Sequence, residues 1–420
     1  MGFNPVKRVG HKVQPVRFRQ QLGEWARQLA DRSPLVETPY LTVSLDWRPE
    51  GSGPEYRAAI QRFEQEAGEL RKAHWPRGQV YDSLGQDIES IRTYLDELDP
   101  SAKGVFIVSN SGAGVFEATP LGLPVPTTVK AMVIPALLPL VRLDEDNPPY
   151  AVLVADQTRA TVRIIAQAHQ VEHLVLRSSD YPRKQASGGW SQRRFQQRAD
   201  ERLMALARRI SEETERFLEQ RGVDALIVAG DDVLTGALDR VMSQQLKNQM
   251  LATIRLDNQA SDAEVIESTA SIAAEAEAAR ERAAVENVKQ LSTSAGRAVV
   301  GSTAVLNALK GGQARELIIN DDFHEDGWAD FTRDRYGVGV DRDVLSDDEL
   351  DANPIDIEEE MTRLAIATGA EIDVIHSSVP VLGDAWSATP EAGKIPRTEA
   401  SAELEQLGGV AAILRYTSSN

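Results

Sequence analysis

Arg183-Lys184-Gln185-Ala186-Ser187-Gly188-Gly189-Trp190-Ser191-Gln192-Arg193-Arg194-Phe195 is the stretch around which the chain is organised. Two adjacent glycines sit between basic residues. Glycine takes positive φ without steric cost, so a tight exposed loop forms readily here. A long helical pattern follows. Phe195, Ala199, Leu203, Leu206, Ile210 and Phe217 recur at the spacing of one helix face, with Arg194, Arg198, Arg202, Arg208 and Arg209 on the other. From Arg177 to Arg209 there are nine basic and three acidic residues, a local +6 in a chain of net charge −18. Such a patch is an electrostatic footprint for polyanions, most often nucleic acid. A solvated helix face behind a capping loop would carry the same charges, so basicity alone leaves both readings open.

A chain of 420 residues exceeds one ordinary core, and two or three domains are expected. With 42% apolar and 26% charged residues it reads as soluble and globular. There are no cysteines, which excludes disulfides and thiolate metal sites. Met1–Gln20 lacks the apolar core of a signal peptide. The most apolar run, Ala131–Val141, is short and broken by Pro135 and Pro139, so no membrane span is expected and a cytoplasmic protein is the simplest reading. The negative charge is localised. Asp321–Glu360 holds sixteen acidic and three basic residues, a local −13, so the acidic total does not argue against nucleic-acid binding elsewhere.

The stretch Gly-Gly-X-Ser-X-X-Arg-Phe before an arginine-rich helix resembles the central-domain signature of archaeal and eukaryotic-type class 1 peptide release factors, with Pelota as a relative. Gly188, Gly189, Ser191, Arg194 and Phe195 match it; Trp190 stands where that family has its catalytic glutamine. The ending Gly408-Gly409-Val410-Ala411-Ala412-Ile413-Leu414-Arg415-Tyr416 is similar to the final strand of the family's third domain. The resemblance implies an α/β chain of three domains. These are an N-terminal α/β domain over 1–146, a ribonuclease-H-like central domain over 147–259, and a three-layer α/β domain with an acidic insertion over 260–420. It implies the ribosome as partner, through ribosomal RNA and transfer RNA, and admits a translational GTPase. Arg183, Lys184, Gly188, Gly189, Trp190, Ser191, Arg193, Arg194, Arg198 and Arg202 would contact the RNA. The family's Asn-Ile-Lys-Ser tetrapeptide for stop-codon reading is absent from this sequence, so decoding is not expected. The expectation is a factor that binds a vacant A site, as in rescue or hibernation. A peptidyl-tRNA hydrolase working despite Trp190 is the alternative, and a metal-dependent nuclease the second.

Along the chain, Tyr40–Leu45 alternates like a strand, helices are expected near 55–73 and 80–98, and Gly104–Ser109 with Gly114–Ala118 reads as a hairpin. Strands follow at 151–155, 160–166 and 171–176, then the long helix, a buried strand over Ala225–Gly230 and a helix from Val233 to Met250. Ser261 and Asp262 are candidate caps for a helix reaching about Gln290. A helix at 302–310, a strand at 316–319, a helix at 357–367, a strand at 371–375 and the closing strand complete the pattern.

Three local matches read better as structure than as chemistry. Gly311-Gly312-Gln313 follows a helix, where glycine is a common stop. His169-Gln170-Val171-Glu172-His173 spells an inverted zinc-protease motif, but its flanks are strand-like. Residues four apart in a strand lie about 13 Å apart, too far for one zinc. Asp156, Asp231 and Asp232 fall near strand ends and could form a nuclease cluster, or serve as turn and cap residues. The acidic run Asp341–Asp351 lacks calcium-loop spacing and reads as a solvated, partly disordered insertion. No metal and no cofactor are expected.

Overall fold

Strand β1 (Tyr40–Asp46) is buried along nearly its whole length, so both its faces must be covered. The computed structural model describes residues 15–32, 34–35, 37–47, 57–74, 78–98, 102–121, 125–145, 148–156, 159–166, 169–177, 192–294, 296–339, 351–378 and 397–416. Two compact units result, one centred on Asn147–Arg280 and one joining Leu22–Asp146 to Glu281–Pro380 and Ala388–Asn420.

In the second unit β1 pairs antiparallel with β2 (Gly104–Asn110) and β4 (Thr128–Met132), and β3 (Val115–Leu121) extends the sheet beyond β2. Leu41, Val43, Leu45, Val105 and Ile107 share the face that packs on α2 (Arg57–His74) and α3 (Gln79–Asp96), through Phe63, Leu84, Ile91 and Leu95. On the opposite face Phe106 meets Trp25 of α1 (Pro15–Ala30) edge-on at 5.5 Å. The hairpin is closed by a 3-10 turn over Ser111–Ala113. Asn110 accepts the Ala113 N–H, and Gly114 takes the left-handed conformation the turn needs. The sequence pattern does not signal α1, β4 or α4 (Leu138–Glu145).

The unit centred on Asn147–Arg280 holds a five-stranded sheet of β5 (Tyr150–Ala155), β6 (Arg159–Ala166), β7 (His169–Arg177), β8 (Leu226–Gly230) and β9 (Met250–Ile254), in the order β7-β6-β5-β8-β9. The first three strands are antiparallel; β8 and β9 run parallel to β5. This is the expected ribonuclease-H-like arrangement. Strand alternation sorts the side chains. Leu153, Val162, Ile164 and Val228 face α5 (Gln192–Glu219) and α6 (Asp232–Val241). Val152, Val154, Ile165 and Ile227 face Val265 at the start of α8 (Asp262–Ser294). Ser261 and Glu264 exchange the hydrogen bonds of a capping box there. One expectation is corrected. The helix from Val233 to Met250 breaks at Met242, whose backbone turns extended. Ser243 caps a separate α7 (Gln244–Asn248), and residues 250–254 are the edge strand β9.

The rest of the second unit is built on β10 (Ala298–Val300), β11 (Ala314–Asn320), β15 (Glu371–Ile375) and β16 (Val410–Leu414), ordered β10-β16-β11-β15. Leu317, Ile319, Val374, Val410 and Ala412 pack against α9 (Ser302–Lys310) and α10 (Ile357–Thr368). Their neighbours Ile318, Ile375, Ala411 and Ile413 pack against Val285 and Val288 of α8 and against α11 (Glu399–Gln406). Sheet residues alternate between two helical covers, which makes three layers. Gly311 and Gly312 end α9, with Gly312 left-handed, and Gln313 N–H donates to Ala308 O, so this Gly-Gly-Gln is a helix stop. Part of the acidic segment is a small sheet of β13 (Arg335–Val338), β12 (Asp326–Asp330) and β14 (Asn353–Asp356). Asp330, Glu358, Glu359 and Glu360 are buried in it and in α10 rather than solvated. Residues 341–350 lie outside the described residues.

Arg221, just beyond α5, stacks on Phe217 at 3.9 Å and forks onto both carboxylate oxygens of Glu172 in β7. That hydrogen bonding holds the Glu172 carboxyl below its ordinary value. A lowered carboxyl contributes stability above its unfolded pKa and loses it as pH falls through the folded one. Arg221→Ala should therefore cost about 1–2 kcal/mol near neutral pH, with the difference from wild type fading in acid below the carboxylate range. Urea denaturation at several pH values measures this; a penalty unchanged down to pH 3 would contradict it.

Candidate functional site

Helix α5 is amphipathic because its apolar residues recur every three or four positions. Leu203, Leu206, Ile210 and Phe217, all foreseen, join Ala207 and Leu218 against the sheet. Arg202, Arg208 and Arg209 are exposed on the outside. Arg193, Arg194 and Arg198 lie in the first turns of the same helix, but their side chains are outside the described residues. So are Arg183, Lys184, Gly188, Gly189, Trp190 and Ser191, the whole Gly-Gly loop between β7 and α5. Of the residues expected to contact RNA, the structure describes the side chain of Arg202 alone, which is exposed on α5.

The carboxyl ends of β5, β8 and β9 gather the aspartates read as a nuclease alternative. Asp156 closes the β5–β6 turn by accepting Arg159 N–H at 2.8 Å, and its other oxygen takes Asn258 Nδ2 at 2.8 Å. Asp231 caps α6, accepting Val233 N–H and Leu234 N–H at 2.9 Å each. Asp232 pairs with Arg255. Each has the turn, cap or ion-pair role available to it, and no metal-type grouping among the described residues includes them. His169 and His173 sit on strand β7, as the flanks implied.

A polar cluster that no short motif announces lies where β4 meets α10. Lys130 Nζ lies 2.7 Å from Asp356 Oδ2, 3.0 Å from Glu359 Oε1 and 3.5 Å from Glu358 Oε1. Burial works against the Lys130 charge, but Glu359 and Asp356 outweigh it and raise its pKa above the usual lysine range. Glu359 Oε2 also accepts the Leu137 and Leu138 N–H groups, at 2.7 and 2.9 Å, which caps α4. Next along α10, Glu360 forks with Arg363 at 2.7 Å on both bonds, and Arg363 donates to Ala30 O. His324 Nδ1 meets Glu358 Oε1 at 2.8 Å, and that bond raises the imidazole pKa. The signal in the sequence was the run Asp356-Ile357-Glu358-Glu359-Glu360. It looks like a charged helix start, and its partners Lys130, Leu137 and Leu138 lie more than two hundred residues upstream.

Lys130→Met would leave Glu358 and Glu359 buried without their ammonium, a loss on the order of 3–5 kcal/mol. Glu359→Gln keeps an acceptor for Leu137 and Leu138 and should cost less, about 1–3 kcal/mol. Chemical denaturation at pH 7 ranks the two; the reverse order would contradict this account of the cluster.

Residues 135–274 match the model of bacterial archaeo-eukaryotic release factor family 10. No curated protein matches the chain significantly. Among solved structures, the archaeal translation termination factor aRF1 shares 15% identity over 96% of this chain and 98% of its own, with a TM-score of 0.23. Pelota of Archaeoglobus fulgidus shares 16% over 75% and 80%, with a TM-score of 0.28. Dom34 of S. cerevisiae, a translation termination-like factor, shares 14% over 77% and 84%, with a TM-score of 0.38. These structural likenesses are faint; the family match is the finding with weight, and it spans the central sheet, α5 and the Gly-Gly loop between them. By that match residues 135–274 are similar to the bacterial archaeo-eukaryotic release factors.

Proposed function

We propose that the protein is a ribosome-associated, release-factor-like translation factor that binds the vacant A site, in rescue or hibernation, without reading stop codons. The observation that carries this is the coincidence of two features. The family match covers residues 135–274, and the same span holds the locally basic segment Arg177–Arg209 of an otherwise acidic chain. Arginines on an exposed helix face bind phosphates through charge and paired N–H donors. A translational GTPase as delivery partner belongs to the same reading.

Trp190 separates binding from chemistry. A glutamine side chain offers both donors and an acceptor to a reacting ester; an indole offers one N–H donor and no acceptor. The indole can stack on a base, worth roughly 1–3 kcal/mol. The protein should therefore bind ribosomes without hydrolysing peptidyl-tRNA, and Trp190→Ala should weaken binding by about tenfold. Trp190→Gln should give at most slow hydrolysis. Efficient release of a peptide from ribosome-bound peptidyl-tRNA by the unsubstituted protein would favour the hydrolase alternative instead.

Converting Arg193, Arg194, Arg198 and Arg202 to Glu should abolish co-sedimentation with ribosomes while leaving the circular dichroism spectrum unchanged. Binding of the wild type should fall steeply with salt as counterions compete for phosphate. Equal co-sedimentation of the charge-reversed and wild-type proteins would refute the assignment.

A further inference from the structure

We propose that His324, Asp356 and Glu358 form a site for a divalent transition-metal ion of the zinc type. Their ligand atoms lie within 4.8 Å of one another. A zinc ion about 2.0–2.2 Å from each donor needs them roughly 3–4 Å apart, so a small side-chain adjustment closes the site. Two of the three stand at one helix start and the third is far from them in sequence. His324 lies between β11 and β12, Asp356 ends β14, and Glu358 sits in the first turn of α10. The fold therefore brings His324 to two carboxylates that share one helix start.

Two further contacts fit a ligating role. The far ring nitrogen of His324, Nε2, faces Asp326 Oδ1 at 3.8 Å. A carboxylate behind a ligating imidazole is the usual second contact, since it orients the ring and fixes its tautomer. Glu358 Oε2 accepts Glu325 N–H at 3.3 Å, which leaves Oε1 turned to His324 Nδ1 at 2.8 Å. That separation is short enough for two ligands on one ion.

The charges also ask for a cation. Asp356, Glu358 and Glu359 surround a single ammonium, Lys130, and Asp326 adds a fourth carboxylate beside His324. Lys130 serves the inner side of the cluster, with Glu359 Oε1 and Asp356 Oδ2, and stands 3.5 Å from Glu358 Oε1. The outer side, at His324 and Asp326, is open to solvent, with side-chain exposures of 61% and 68%, and gives an ion its way in. Lys130 holds Asp356 Oδ2, so a metal at this site would share the Asp356 carboxylate with the ammonium. One imidazole and two carboxylates without a thiolate suit zinc or manganese better than copper(I) or an iron–sulfur centre, and leave coordination positions for water.

The test is calorimetric titration of the full chain, stripped of metal with a chelator, using zinc chloride and then manganese chloride. One equivalent of zinc should bind, and His324→Ala should weaken that binding at least about tenfold. His173→Ala, on a strand of the other unit, should leave it unchanged. Zinc should also raise the thermal midpoint of the wild type but not that of His324→Ala. Should His324→Ala fail to fold, histidine ring NMR of the unsubstituted protein replaces it, with the His324 resonances moving as one equivalent of zinc is added. Absence of a one-equivalent site, zinc binding undiminished in a folded His324→Ala, or an unmoved His324 ring would overturn the proposal.

Discussion

Three consecutive buried glutamates can persist only if each is given a cation or backbone N–H groups, because an unpaired buried carboxylate costs several kcal/mol. Glu358, Glu359 and Glu360 open α10, and all three are nearly inaccessible. Glu358 is met by His324 and Lys130, Glu359 by Lys130 and the start of α4, Glu360 by Arg363. Since Lys130 and α4 come from the first third of the chain, this requirement ties residues before Asp146 to the sheet after Glu281. The two blocks form one compact unit although the central one intervenes in sequence. Each glutamate also sits at a helix N-terminus, where negative charge is favoured.

The unit centred on Asn147–Arg280 follows a different logic. Its sheet is sorted by strand alternation, covered on one face by α5 and α6 and on the other by the start of α8. Covering the sheet consumes only one side of α5. The other side carries the exposed Arg202, Arg208 and Arg209. In the proposed function that division of labour is the mechanism. Packing holds the helix, the helix displays the charge, and the loop before it delivers Trp190.

What could be read from the sequence follows the range of the forces involved. Local periodicity announced β1, β2, β5, β6 and the long α5, because burial on one or both faces writes itself into neighbouring residues. The short or half-exposed pieces escaped. Strand β9 alternates between partly buried and exposed residues and gave no strand signal, and only its first residue, Met250, fell inside the expected helix, while β4 and α4 surround prolines. The buried acids at the start of α10 were illegible for a different reason. Glu359 looks solvated until Lys130, 229 positions away, is brought beside it. The pairing of His324 with Glu358 was hidden in the same way, since they lie 34 positions apart. Of the expected RNA surface, the arginine face of α5 was legible from spacing. The role of Trp190 rests on resemblance and on the chemistry of an indole.

The central claim is that the Gly-Gly loop and the arginine face of α5 engage ribosomal RNA. Electron cryomicroscopy of ribosomes incubated with the full chain at low salt tests it most directly. The account predicts density for the chain in the A site, with α5 against RNA backbone and residues 183–191 reaching toward the peptidyl transferase centre. Ribosomes without bound chain, or with the chain bound elsewhere and α5 facing solvent, would contradict it.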